Sequence, residues 1–280
     1  MFYRTFGREV ASVFLRASVL VVTVVFLFVF VASWYQLESI SDGSCNIAVL
    51  PIEGAILPFT GFADFPLITT PSQVRDFIAS AESDINIDGI LIEINSPGGT
   101  PVASEQISQY LRLSTLPVVA TIGDIGASGA YLVAASADII IASAMSDVGS
   151  IGVTMSYLEA SEKNAEEGLT FVELNSGEFK DAGNPDKPLT PAERAIFERD
   201  LEIVHDEFVR QIATLRNKDV AEIEALADGS SMPGIRALEV GLVDRLGGRV
   251  EAREEFATRL NLTEDAIVFC EYESGFELVY

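Results

Sequence analysis

From residue 46 to about residue 142 the chain alternates short, unbroken apolar runs with stretches in which apolar positions recur every three or four residues. The runs predict strands over residues 46–53 (NIAVLPIE), 88–94, 117–122 and 139–142. The periodic stretches predict helices over 71–83, where Val74, Phe77 and Ile78 fall at helical spacing, over 100–113, and from about 129 to 136. Strands that are apolar at every position are buried on both faces, which is the signature of a mainly parallel sheet covered by helices. The expected class is therefore α/β. Near Thr190 the pattern changes to one long helix: Thr190 caps it, Pro191 suits its first turn and Glu193 completes a capping box. Phe197, Leu201, Val204, Phe208, Ile212 and Leu215 form a stripe along it, expected to be core or subunit contact.

One run does not fit the globular pattern. Residues 17–37 (ASVLVVTVVFLFVFVASWYQL) carry no charge over 21 positions, long enough as a helix to cross a hydrocarbon layer of ~30 Å. Trp34 and Tyr35 close the run as interfacial aromatics, and Arg4, Arg8 and Arg16 precede it, so the N-terminal flank is expected in the cytoplasm and the remainder outside. A cleaved signal peptide is the rival reading, with residues 31–33 (VAS) as a cleavage site, but the apolar run is longer than such segments need. The expected organisation is a cytoplasmic segment 1–16, an anchor 17–37 at the cytoplasmic membrane, a tether 38–45 and an extracytoplasmic domain 46–280.

Charge sharpens the picture. The chain has 42 acidic and 18 basic residues, a net charge of −24, which argues against binding to a nucleic-acid backbone. Three of the basic residues and one acidic residue lie within the first 37, so the outward part carries −26. Cys45 opens that part and Cys270 nearly closes it. In an oxidising compartment the two could pair, but two buried free thiols are the default reading.

Candidate chemistry sits where strands end. The second strand runs into NSPGGT (residues 95–100), in which Pro97 fixes a turn and Gly98 and Gly99 permit backbone geometry closed to other residues. In GDIGASGAYLVAAS, Ser128 stands among Gly126, Ala127, Gly129 and Ala130 at a strand-to-helix turn, where small neighbours leave a hydroxyl accessible. Either cluster alone reads as a tight turn, but two at adjacent strand ends point to a site. A serine nucleophile needs a base. His205, the sole histidine, lies on the flank of the long helix in charged surroundings, which leaves Lys163, Lys180, Lys187 and Lys218. A lysine serves only when desolvation leaves it neutral. Lys180, in a glycine-punctuated segment, is a modest favourite among the four, but by composition alone the reading of a solvated surface lysine outweighs it.

Six segments in order, NSPGG, GASGAYLVAASAD, SDVGSIGV, SGEFKDAG, LTPAER and ALEVGLVDRLGG, resemble the signal peptide peptidase A family of membrane-anchored serine proteases over about residues 46–250. The resemblance implies a ClpP/crotonase-type fold and a Ser-Lys dyad that degrades signal peptides left in the membrane. By motif, Ser128 is the nucleophile and Lys180 the base, with the N–H groups of Gly98 and Gly129 forming the oxyanion hole. Ser150, in SDVGSIGV, is a candidate for positioning. In double-length members of the family the two dyad residues come from different halves, so here Ser128 is expected to meet Lys180 of an adjacent subunit in a homo-oligomeric ring. No cofactor and no metal are implied. GSSMPGIR (residues 229–236) matches the family only loosely, and the tail from residue 251, ending FCEYESGFELVY, has no motif and is expected to be a closing strand or a subunit contact. A crotonase-like acyl-CoA enzyme using the same paired N–H groups, and a catalytically silent membrane scaffold, are the competing functional classes.

Overall fold

The computed structural model describes residues 16, 18–27, 40–61 and 67–270. It divides into two units, 1–40 and 41–280. Within the first, residues 18–27 are helical and exposed, and the rest of the expected anchor 17–37 lies outside the described residues. Among the described residues no helix is long and apolar enough to cross a membrane.

The second unit is built on a nine-stranded sheet. Its strands are β1 (Ile47–Ile56), β2 (Ile68–Thr69), β3 (Gly89–Gly99), β4 (Val118–Ala127), β5 (Ile139–Ala142), β6 (Asp147–Gly149), β7 (Ser231–Pro233), β8 (Arg245–Leu246) and β9 (Phe269–Cys270). The main order is β2-β1-β3-β4-β5-β8, with β9 also on β1 and β6 on the end of β4. Every pairing is parallel except β6 with β7. Helices α1 (Pro71–Ser83), α2 (Pro101–Leu113) and α3 (Gly129–Ala135) pack on one another in sequence, and α3 also contacts β3 and β4. The remaining helices are α4 (Ser161–Glu166), α5 (Pro191–Leu215), α6 (Val220–Glu224), α7 (Gly234–Glu239) and α8 (Arg249–Leu260).

Side chains alternate along a strand, and here both sets are buried. Ile47, Val49, Leu91, Val119 and Ile141 meet Ala252, Phe256 and Ala257 of α8. The intervening Ala48, Ile90, Ile92, Ala120 and Ile140 are equally enclosed. Gly89 makes room for the Phe256 ring, since a Cβ there would lie 2.7 Å from Cε1. The expected α/β class with a mostly parallel, two-sided sheet is what the structure has.

Three differences from the sequence pattern bear on function. First, the predicted strands stop short. β1, β3 and β4 run on to Ile56, Gly99 and Ala127, and the register shifts between Glu53 and Ala55 and between Ile94 and Ser96. The Pro-Gly-Gly segment is thus an irregular strand end rather than a free turn. Second, the long helix is only half packed: Val209, Ile212 and Ala213 are buried, whereas Val204 of the predicted stripe is exposed. Third, the unassigned tail contains α8 and then β9, which pairs with β1 through Ile47↔Phe269 and Ala48↔Cys270. A disulfide joins Cys45 to Cys270 at a Cα–Cα distance of 5.2 Å. Residues 271–280 lie outside the described set.

Candidate active site

β4 changes partner along its length. Residues 119–122 pair with β5, and residues 125–127 pair with β6. Ser128 follows directly and caps α3 with φ 53° and ψ −125°. A non-glycine residue in that region costs on the order of 1–3 kcal/mol and persists only where its surroundings hold it. They do: the Ser128 N–H donates to the Gly149 carbonyl at 2.7 Å, and its own carbonyl accepts from Tyr131 N at 2.9 Å and Leu132 N at 3.2 Å. A strained strand-to-helix turn of this kind lifts a serine hydroxyl clear of the sheet. Ser128 is half-buried, and its hydroxyl makes no side-chain hydrogen bond to the described residues.

The glycines singled out by sequence meet here. Gly98 has φ +92°, and a Cβ on it would sit 2.7 Å from Gly129 N, 2.8 Å from the Ala127 carbonyl oxygen and 3.0 Å from Ser128 Cβ. A Cβ on Gly129 would lie 2.2 Å from Ser104 Oγ. Both positions therefore need glycine to let β3, α2 and α3 close on the serine. As the first residue of α3, Gly129 has no intrahelical acceptor for its N–H. The Gly98 N–H is directed at Ser96 Oγ at 3.1 Å, and Ser96 Oγ in turn donates to the Gly54 carbonyl at 2.6 Å. Ser96 is fully buried and was not singled out from the sequence, although a serine embedded in an apolar strand just before Pro-Gly-Gly is a visible signal.

The segment holding the serine turn is SDVGSIGV. Gly149 supplies the carbonyl noted above. Ser150, at φ 50°, donates through Oγ to the Gly229 carbonyl at 3.0 Å, so its hydroxyl fixes the β6–β7 connection and is not directed at Ser128. Ser146 Oγ donates to the Ile122 and Gly123 carbonyls at 3.1 and 2.5 Å, just where β4 changes partner. The loosely matching GSSMPGIR supplies β7 and Gly234, whose Cβ would lie 2.0 Å from the Ser143 carbonyl oxygen. Tyr131 of α3 is fully buried and donates through its hydroxyl to the Leu242 carbonyl at 2.7 Å, and burial pushes its pKa up. That bond ties the helix that follows Ser128 to the ALEVGLVD segment.

The lysines separate cleanly. Lys187 bridges Glu173 and Glu193, each at 2.8 Å, and the hydrogen bonds it donates to those two carboxylates raise its pKa. Glu193, buried at the start of α5, is held down to about 2, first by Lys187 and then by the Thr190 backbone. Lys163 pairs with Glu167 and Lys218 with Glu222. Lys180 alone among the four makes no ion pair or side-chain hydrogen bond to the described residues, and it is exposed. Within the chain Ser128 and Lys180 share no hydrogen bond. Among the described residues no three His, Cys, Asp or Glu side chains gather to hold a metal.

The sheet, the strained serine turn and the glycine pair define an α/β protein that presents a serine as a nucleophile would be presented. Residues 111–263 match the model of peptidase family S49, and the chain belongs to that family. Among curated relatives, two proteins named "Putative protease" cover most of it. One, from Methanocaldococcus jannaschii, is 33% identical over 71% of this chain and 66% of its own length. The other, from Synechocystis sp., is 36% identical over 79% of this chain and 77% of its own length. The chloroplastic serine protease SPPA of Arabidopsis thaliana is 29% identical over 75% of this chain, which spans 32% of that protein.

Proposed function

We propose that the protein is a membrane-anchored serine endopeptidase with a ClpP/crotonase-type fold, in which Ser128 attacks a peptide carbonyl and Lys180 of a neighbouring copy is the general base. The observation that carries the reading is the strained Ser128 turn with Gly98 and Gly129 against it. In this mechanism neutral Lys180 removes the Ser128 hydroxyl proton as Oγ bonds to the carbonyl carbon, and the carbonyl oxygen becomes an oxyanion. The N–H of Gly129 and the N–H of Gly98 stabilise it. Delivering the Gly98 N–H requires its bond to Ser96 Oγ to lengthen, so Ser96 sets the resting position of that donor. The C–N bond then breaks, the amine leaves with the proton held by Lys180, and water hydrolyses the acyl-enzyme with Lys180 again taking the proton.

Two features favour sharing between copies. Lys180 is exposed and unpaired among the described residues, whereas a lysine base needs to be desolvated. The segment around it also presents Leu158, Val172 and Leu174 to solvent, at 90%, 71% and 91% exposure, apolar surface that a neighbouring subunit in a ring would cover. Substrates in this reading are signal peptides or other hydrophobic peptides at the outer face of the cytoplasmic membrane, reached through the anchor at residues 17–37. A fluorophosphonate probe with a peptide substrate tests it. Labelling that persists in Ser128→Ala removes the nucleophile, and full proteolysis in Lys180→Ala removes the base. Mixing the two inactive variants restores activity only if the dyad crosses a subunit boundary.

A further inference from the structure

The sheet face covered by α8 does not stay apolar to its end. Val49, Leu91 and Val119 are register neighbours in the core. Two residues further along the same face come Glu93 and Thr121, again register neighbours, and beyond them Glu53 beside Asn95. With Asp124 and Arg249, these residues line an open cavity of about 520 Å³ at the carboxyl ends of the strands, the place where open α/β sheets present ligands. The cavity is lined by none of Ser128, Gly98, Gly129 or Lys180.

Its chemistry is one-sided. Arg249 is forked onto both oxygens of Glu93, at 2.5 and 2.7 Å, and the two charges offset each other. Glu53 and Asp124 make no side-chain hydrogen bond or ion pair with the described residues, which leaves two uncompensated carboxylates. Thr121 is a second, independent indication. It is 7% exposed, its hydroxyl has no hydrogen-bond partner among the described residues, and no fully enclosed side-chain oxygen or nitrogen among them lacks one. The Thr121 hydroxyl is therefore not fully enclosed, and Thr121 lines the cavity. Such a hydroxyl accepts what the carboxylates also accept, an N–H donor.

We propose that this cavity binds a small organic cation bearing primary ammonium groups, with Glu53 and Asp124 balancing its charge and the Thr121 hydroxyl accepting a hydrogen bond from it. A bare metal ion does not fit the arrangement: no three acidic, histidine or cysteine side chains among the described residues come together to hold one. The space is also many times the ~30 Å³ share of a single water. An ammonium has three donors and no acceptor, matching the acceptors that Glu53, Asp124 and Thr121 offer along the wall. Carboxylates on separate strands suit a ligand whose charges are spaced along a chain, as in a polyamine.

Calorimetric titration of the full-length protein in detergent with spermidine tests this without reference to peptidase activity. One saturable site is expected. Glu53→Gln with Asp124→Asn weakens it at least tenfold, and Thr121→Val, which keeps the β-branched shape, weakens it severalfold. Glu198→Gln with Glu202→Gln, the same change in charge on exposed positions of α5, leaves it unaltered. Uptake that does not saturate, equal weakening by the α5 pair, or full displacement by magnesium chloride at matched ionic strength overturns the proposal in favour of diffuse attraction to an acidic surface. Since Glu53 and Asp124 are exposed, their replacement tests the site even if Thr121→Val fails to fold.

Discussion

The disulfide between Cys45 and Cys270 allows the most quantitative prediction. Its sequence separation is 225 residues, and in the chain-entropy treatment a closed loop of that size lowers the entropy of the unfolded chain enough to stabilise the fold by about 5 kcal/mol at 25 °C. A domain of this size loses roughly 2–4 °C in Tm per kcal/mol. Cys45→Ala with Cys270→Ala should therefore lower the midpoint by about 10–20 °C in thermal unfolding followed by circular dichroism. Part of that loss is packing, because Cys270 is 4% exposed and its sulfur lies against the core. Reduced wild-type protein separates the contributions: it keeps both sulfurs and loses only the cross-link. It should fall nearly as far as the double variant. If oxidised wild type, reduced wild type and the double variant all melt within about 3 °C, the loop-closure reasoning is refuted, and β9 holds to β1 by its strand pairing alone.

Further outcomes follow from the site and its supports. Gly98→Ala forces a Cβ to within 2.7 Å of Gly129 N at φ +92°, and steady-state peptidase assays should show a loss of at least ~100-fold, the scale of one lost oxyanion donor, with an unchanged far-ultraviolet spectrum. Tyr131→Phe leaves the buried Leu242 carbonyl without its donor, and denaturant unfolding should show a loss of about 1–3 kcal/mol. Glu193 has a folded pKa of about 2 against an ordinary 4.5. The stability it contributes is thus complete above about pH 4.5 and is lost as pH falls toward 2. Glu193→Gln should destabilise the protein at neutral pH and flatten its acid-unfolding curve across that window. An unchanged acid limb would remove the Lys187–Glu193 contact from the account.

Some of this was legible in the residues. The apolar runs announced strands buried on both faces because no polar position interrupts them, and Thr190-Pro191-x-Glu193 announced a helix start whose capping box the structure forms. Ser128, Gly98 and Gly129 were legible because small residues around a hydroxyl are conspicuous in sequence. What makes them a site was not. The positive φ of Ser128 depends on the Gly149 carbonyl, and β6, at three residues, carries no periodicity to detect. α8 escaped notice because charged residues dominate it and only Ala252, Phe256 and Ala257 are buried. The acidic cavity draws its lining from several strands and the start of α8, and no linear motif gathers them. The predicted stripe on α5 overreached because helical spacing shows which residues share a face, not what covers it.

The disulfide also decides how the domain carries load. A pull exerted on the chain before residue 45 and after residue 270 passes between Cα atoms 5.2 Å apart through a covalent bond. Tension between those points bypasses the sheet, so the strands that hold Ser128 bear none of it while the bond is intact. Once the bond is reduced, the same pull is applied to the two-residue β9 and its two register pairs with β1.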